Sequence, residues 1–122
     1  MCVPLGALFA DSVACLRAGG LDVSPLEDAG RRLIVDAADG PRYITTRPSD
    51  VPTYVEAGAA DLVIVVKDVL RASSPDVDEV LALGFGGCRM VYATIAGEDP
   101  TPAALAHLGA VRVATKYPNA AR

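Results

Sequence analysis

Thr46-Arg47-Pro48-Ser49-Asp50-Val51-Pro52-Thr53-Tyr54-Val55-Glu56-Ala57-Gly58-Ala59-Ala60-Asp61-Leu62-Val63-Ile64-Val65-Val66-Lys67-Asp68 is the stretch from which the rest of the chain can be read. Pro48 locks its own φ and drives Arg47 towards extended geometry, so the preceding run 43–46 reads as a strand that stops at Arg47. Ser49 or Asp50 can cap a helix that carries Pro52 in its first turn and ends at Gly58. The unbroken apolar run 62–66, rich in β-branched residues, predicts a strand buried on both faces, with Lys67-Asp68 where it runs out. Parallel sheets receive ligands at the carboxyl ends of their strands, so Arg47 and Lys67 are expected as neighbours on one rim.

Working outward, residues 1–4 form the stub of a first strand closed by Pro4, with Gly6 in the turn. Leu8, Phe9, Val13 and Leu16 recur at helical spacing until Gly19-Gly20. Residues 21–30 read as a loop. The run 31–36 reads as a strand entered through Arg31-Arg32, and Asp39-Gly40-Pro41 turns it into 42–47 as an antiparallel hairpin. Downstream, a short helix is expected over 77–83 and a bend at Gly84-Phe85-Gly86-Gly87. A strand over 88–94, a helix over 103–107 and a last strand over 111–115 follow. The whole is an α/β arrangement, a mixed sheet flanked by helices.

The chain has 122 residues, 52% of them hydrophobic, enough for one domain with a core. A net charge of -4 and a pI near 4.8 argue against nucleic acid or an acidic membrane as partner; an anion would need a local cluster of cations. Cys2, Cys15 and Cys88 show neither metal-ligand nor disulfide-framework spacing, and Cys15 and Cys88 read as small core residues. His107 is the single histidine, so a histidine-based triad would rest on it alone. No apolar run reaches the roughly 20 residues of a membrane helix, and no charged-then-apolar leader followed by a cleavage site is read in the sequence. A soluble, reduced, cytoplasmic protein is the expectation.

Several segments, in order and at their spacing, resemble the amino-terminal domain of ATP phosphoribosyltransferase. They are Arg32-Leu33-Ile34, Arg47-Pro48-Ser49-Asp50-Val51-Pro52, Gly58-Ala59-Ala60-Asp61-Leu62, Lys67-Asp68-Val69-Leu70, Gly84-Phe85-Gly86-Gly87-Cys88-Arg89 and Arg112-Val113-Ala114-Thr115-Lys116-Tyr117-Pro118-Asn119. The resemblance implies one lobe of a type II periplasmic-binding-protein-like fold. It also implies transfer of phosphoribosyl from phosphoribosyl pyrophosphate to N1 of ATP, the first step of histidine biosynthesis, with magnesium. Arg32 and Arg47 match family arginines that line the cleft and are the candidate catalytic and nucleotide-binding residues, since fixed guanidiniums neutralise phosphates well. Lys67 and Asp61 are further binding candidates; helix initiation and a turn aspartate are their ordinary alternatives. No protein metal ligand is expected.

The departures from the family pattern matter equally. Its Pro-Lys-Gly-Arg-Leu appears here as Pro4-Leu5-Gly6-Ala7-Leu8, so two cleft cations are missing, and two family glycines stand as Val63 and Val66. A valine there is expected to obstruct a ligand or a neighbouring backbone that a glycine would let come close. The acidic, glycine-containing loop that grips the phosphoribosyl 5'-phosphate does not occur in the chain. The expectation is therefore a single α/β domain over 1–122 without the phosphoribosyl-binding domain, inactive alone. Its partners would be nucleotides and either a second copy or a regulatory or complementing subunit. The alternative is a periplasmic-binding-like half domain that binds a small anion or a partner without catalysis.

Overall fold

In the computed structural model, the described residues are 1–91, 93–97, 101, 103, 106, 109 and 112–120. They fall into two compact units, Met1–Gly86 and Gly87–Arg122.

The first unit is built on a three-stranded sheet in the order β1 (Cys2–Pro4), β3 (Arg42–Thr46), β2 (Ile34–Asp36). β1 lies parallel to β3, with Cys2 beside Ile44 and Pro4 beside Thr46. β2 runs antiparallel to β3, with Ile34 beside Ile44 and Asp36 beside Arg42, as the hairpin signal requires. Period-two alternation sends Val3, Val35 and Tyr43 to one face, where α1 (Phe9–Ala18) and α2 (Ser24–Glu27) supply Val13, Leu16 and Leu26. Cys2, Ile44 and Val63 face the other way, towards Val51, Tyr54 and Val55 of α3 (Val51–Glu56). Six residues are too few for a helix to hold itself, so α3 depends on this packing, with Val51 fully buried. Gly58 takes φ +70° just beyond it, a conformation that suits glycine.

Several expectations change. Residues 21–30 contain the short helix α2, with Pro25 in its first turn. β2 begins at Ile34, leaving Arg31 and Arg32 in the preceding turn. Asp50 occupies the N-cap of α3 but makes no capping bond; its carboxylate accepts from the Ser49 hydroxyl instead. The run 62–66 is not a full strand buried on both faces. Cys2 N–H donates to Leu62 O at 2.8 Å and Ile64 N–H to Cys2 O at 3.1 Å, a single parallel bridge on the β1 side, and Leu62 is 51% exposed. Pairing on one side over so few residues does not make a ladder.

After α4 (Lys67–Ser73) no helix forms over 77–83: Val80 and Leu81 are exposed, and a seven-residue helix with no surface to pack on does not hold.

In the second unit the described residues of 88–94 and 111–115 form no strand, and Met90, Val91 and Val113 are exposed. Alternating apolar residues make a strand only where a neighbouring strand supplies pairing. Cys88 is exposed rather than a core residue, while Cys15 is half-buried. Here Pro118–Ala120 forms a 3-10 turn, and the Lys116 ammonium lies 5.6 Å from the centre of the Tyr117 ring. Most of the expected helix 103–107, including His107, lies outside the described residues.

Candidate functional site

The sheet register decides which cations meet. β3 ends at Thr46, so Arg47 stands at its carboxyl end. β1 is parallel and ends beside it at Pro4, followed by Leu5, whose N–H donates to Thr46 O at 2.8 Å. The 62–64 bridge is parallel to β1, so Lys67 emerges at this same rim. β2 runs the other way, and its beginning therefore reaches the rim: Thr45 N–H donates to Leu33 O at 2.8 Å, with Arg32 next beyond. Across the rim the order is Lys67, Leu5, Arg47, Arg32. At a strand spacing of about 4.8 Å, the Lys67 and Arg47 backbones stand roughly 10 Å apart, with Arg32 one strand further. Arg47 and Lys67 thus share the rim as expected, but β1 lies between them.

The three cations are held differently. Arg32 is exposed, and its guanidinium donates from Nη2 to Asp28 O at 2.9 Å and from Nε to Ala29 O at 3.3 Å. These bonds fix its stem at the end of the turn that leads into β2. Lys67 Nζ is paired with both carboxylate oxygens of Glu79, at 3.1 and 3.0 Å. Arg47 is exposed, and its guanidinium has no partner among the described residues.

Asp61 is not brought to this rim. It precedes the 62–64 bridge, whose Leu62 pairs with the amide of Cys2, so it sits at the Met1 end of the sheet. About six residues of largely extended chain, ~20 Å, separate it from Lys67. Among the described residues no three His, Cys, Asp or Glu side chains converge as metal ligands.

Other features of the rim were not apparent from the sequence. Gly86 takes φ +70°, and a Cβ there would stand 2.6 Å from Leu8 Cδ2 and 3.6 Å from Val66 Cγ1. Gly86 is therefore seated directly against the turn after β1. Val66 serves that seat, while Val63 is half-buried and packs against the cluster of Cys2, Val51 and Ala60. Glu79 gave no sequence signal as a partner of Lys67, because twelve residues is neither a helical nor a hairpin spacing.

The titrations that shift belong to the scaffold. Burial raises the Cys2 thiol and the Tyr43 phenol, and the latter donates to Asp22 O at 2.9 Å. The hydroxyl and amide of Ser24 lower the Asp22 carboxyl, and the Arg42 guanidinium lowers that of Asp36.

The first unit is thus an α/β fold with a mixed sheet, and Arg47, Lys67 and Arg32 stand on the rim where its parallel strands end. The family model described as ATP phosphoribosyltransferase matches residues 47–122, beginning at Arg47 itself. The chain is similar to the ATP phosphoribosyltransferase of Rubrobacter xylanophilus, 49% identical over 121 residues, which covers 98% of this chain and 56% of that protein. It is likewise similar to that of Symbiobacterium thermophilum, 50% identical over 118 residues and covering 95% and 53%. The Sorangium cellulosum protein of the same name is 44% identical over 120 residues, covering 98% and 54%. The chain belongs to the ATP phosphoribosyltransferase family, and it spans about half the length of the relatives it matches.

Proposed function

We propose that this chain supplies the nucleotide side of an ATP phosphoribosyltransferase, one lobe of a type II periplasmic-binding-like fold that acts in the cytoplasm. In the reaction the N1 lone pair of ATP attacks C1 of phosphoribosyl pyrophosphate, and the C1–oxygen bond to pyrophosphate breaks. Charge builds on phosphate oxygens throughout, and positioned guanidiniums offset it. Arg47 and Arg32 take that role, with Lys67 flanking. The observation that carries this reading is the register: the parallel β1/β3 pair and the antiparallel β2/β3 pair deliver Arg47 and Arg32 to one rim although fifteen positions separate them.

Asp61, at the far end of the sheet, has no part in it. The described residues offer no protein cage for magnesium. That ion commonly binds through substrate phosphates with few protein carboxylates. A complementing half, or a second copy, would supply the phosphoribosyl grip. Leu5 and Ala7 favour a second reading, anion binding without transfer, because apolar side chains occupy the middle of the rim.

ATP titrated into the purified chain is expected to shift the backbone amides of Leu5, Arg32, Arg47 and Lys67 and to leave Asp61 still. Arg47→Ala is expected to weaken binding by about tenfold, the worth of one charged hydrogen bond. Silence at Arg47 under millimolar ATP refutes the nucleotide reading. Shifts with inorganic triphosphate equal to those with ATP favour the second.

A further inference from the structure

Residues 74–83 run between two anchors. At one end Asp76 N–H donates to Glu56 Oε1 of α3 at 3.3 Å. At the other, Gly86 is seated against Leu8 and Val66. Between these points the chain has no regular structure and its side chains are largely exposed, Val80 and Leu81 to 80% and 73%. Its one polar attachment among the described residues is the Glu79 carboxylate on Lys67 Nζ.

Resting on the reading of the rim as an anion site, we propose that this segment is a strap that holds Lys67 in an internal ion pair, so that Glu79 must be displaced before Lys67 engages a polyphosphate. Glu79 occupies on Lys67 the place that a ligand phosphate oxygen would take. The pair is exposed on both sides, 63% for Lys67 and 45% for Glu79, so it forms and breaks at small cost. The anchors return the strap to the rim when the anion leaves. Glu79 thereby tunes affinity and selects ligands with enough charge to compete: a triphosphate displaces it more readily than a monophosphate.

The test is calorimetric binding of inorganic triphosphate to the 122-residue chain, its Glu79→Gln, Arg47→Ala and Glu79→Gln/Lys67→Gln variants, and an Asp39→Asn control. Asp39 is an exposed carboxylate in the hairpin turn at the opposite end of the sheet, so its loss changes net charge equally. Glu79→Gln is expected to tighten binding roughly two- to five-fold, the range of one exposed ion pair. The gain disappears in Glu79→Gln/Lys67→Gln and is not reproduced by Asp39→Asn. Unchanged affinity in Glu79→Gln, with a loss in Arg47→Ala, overturns the strap and leaves the rim reading standing. An equal gain in Asp39→Asn likewise overturns the strap. A gain in Glu79→Gln with none lost in Arg47→Ala supports the strap and removes Arg47 from the site. Binding by neither the parent nor Glu79→Gln overturns both.

Discussion

Tyr43 sits in β3, the strand that carries Arg47 to the rim, and replacing it by phenylalanine separates two contributions that pH pulls in opposite directions. The side chain is fully buried and its hydroxyl donates to Asp22 O at 2.9 Å. Asp22 is itself exposed, so its carbonyl can turn to water, and Tyr43→Phe near neutral pH costs only the net worth of one hydrogen bond, about 1 kcal/mol. With a urea slope of about 1–1.5 kcal/mol/M for a domain of this size, the midpoint falls by roughly 0.7–1 M.

The alkaline side behaves differently. Burial raises the Tyr43 phenol above its ordinary value. The raised group contributes stability that is complete below the unfolded pKa of about 10 and is lost as pH rises beyond it, because only the unfolded chain releases the proton. The loss approaches ~1.4 kcal/mol per pH unit while the buried phenol stays protonated. Phenylalanine has no such loss. Urea midpoints of the two proteins are therefore expected to converge as pH rises above about 10. The Cys2 thiol, also raised by burial, is present in both and cancels in the difference. A gap that stays constant across this range would refute the reasoning, since it would mean that the phenol titrates alike in the folded and unfolded chain.

The remaining predictions concern the rim and the hairpin. Gly86→Ala combines a left-handed backbone, ~1 kcal/mol for a residue with a Cβ, with a collision against Leu8; a urea midpoint unmoved by the change would contradict the seat. Leu8→Ala/Gly86→Ala is expected to recover the collision and retain the backbone cost. Leu5→Lys places a cation between Arg47 and Lys67 and should strengthen inorganic triphosphate binding about fivefold; calorimetry showing no gain would mean that the rim does not receive the anion. Asp36 is held below the ordinary carboxylate range by Arg42, so its contribution is present above an unfolded pKa of about 3.9 and lost as pH falls through the lower folded value. Acid unfolding of Asp36→Asn should be correspondingly flatter below about pH 4, and an unchanged acid limb would count against the pair.

What the sequence made legible were features set by local chemistry. Asp39-Gly40 turned the chain, Pro48 stopped β3 at Arg47, and Gly58 closed α3; each depends on a backbone preference that its own residues carry. Segments read from periodicity alone fared worse. Residues 77–83, 88–94 and 111–115 have the apolar spacing of a helix and two strands, but spacing says only what an element could bury, and Val80, Val91 and Val113 bury little. Asp61 was a binding candidate beside its ordinary reading as a turn aspartate. A residue that begins a parallel segment lies at the end remote from where that segment finishes, so its separation from Lys67 was implicit in the direction once the bridge to β1 was known.

A rim assembled in this way ties function to register. Arg47 and Lys67 arrive at the ends of parallel segments, Arg32 at the start of an antiparallel one, and only the pairing of β2 with β3 makes these opposite positions coincide. A one-residue slip of β2 would exchange its two faces, exposing Val35 and driving Ile34 towards α1 and α2. The same slip would carry Arg32 along the strand by about 3.3 Å. Burial of Val35 against Tyr43 thus fixes the Arg32 stem as firmly as its hydrogen bonds to Asp28 and Ala29 do. The guanidiniums stay exposed on a body with a net charge of -4, because the buried strand residues nearest to them, Val35 before which Arg32 lies and Thr45 after which Arg47 lies, are set back from the rim.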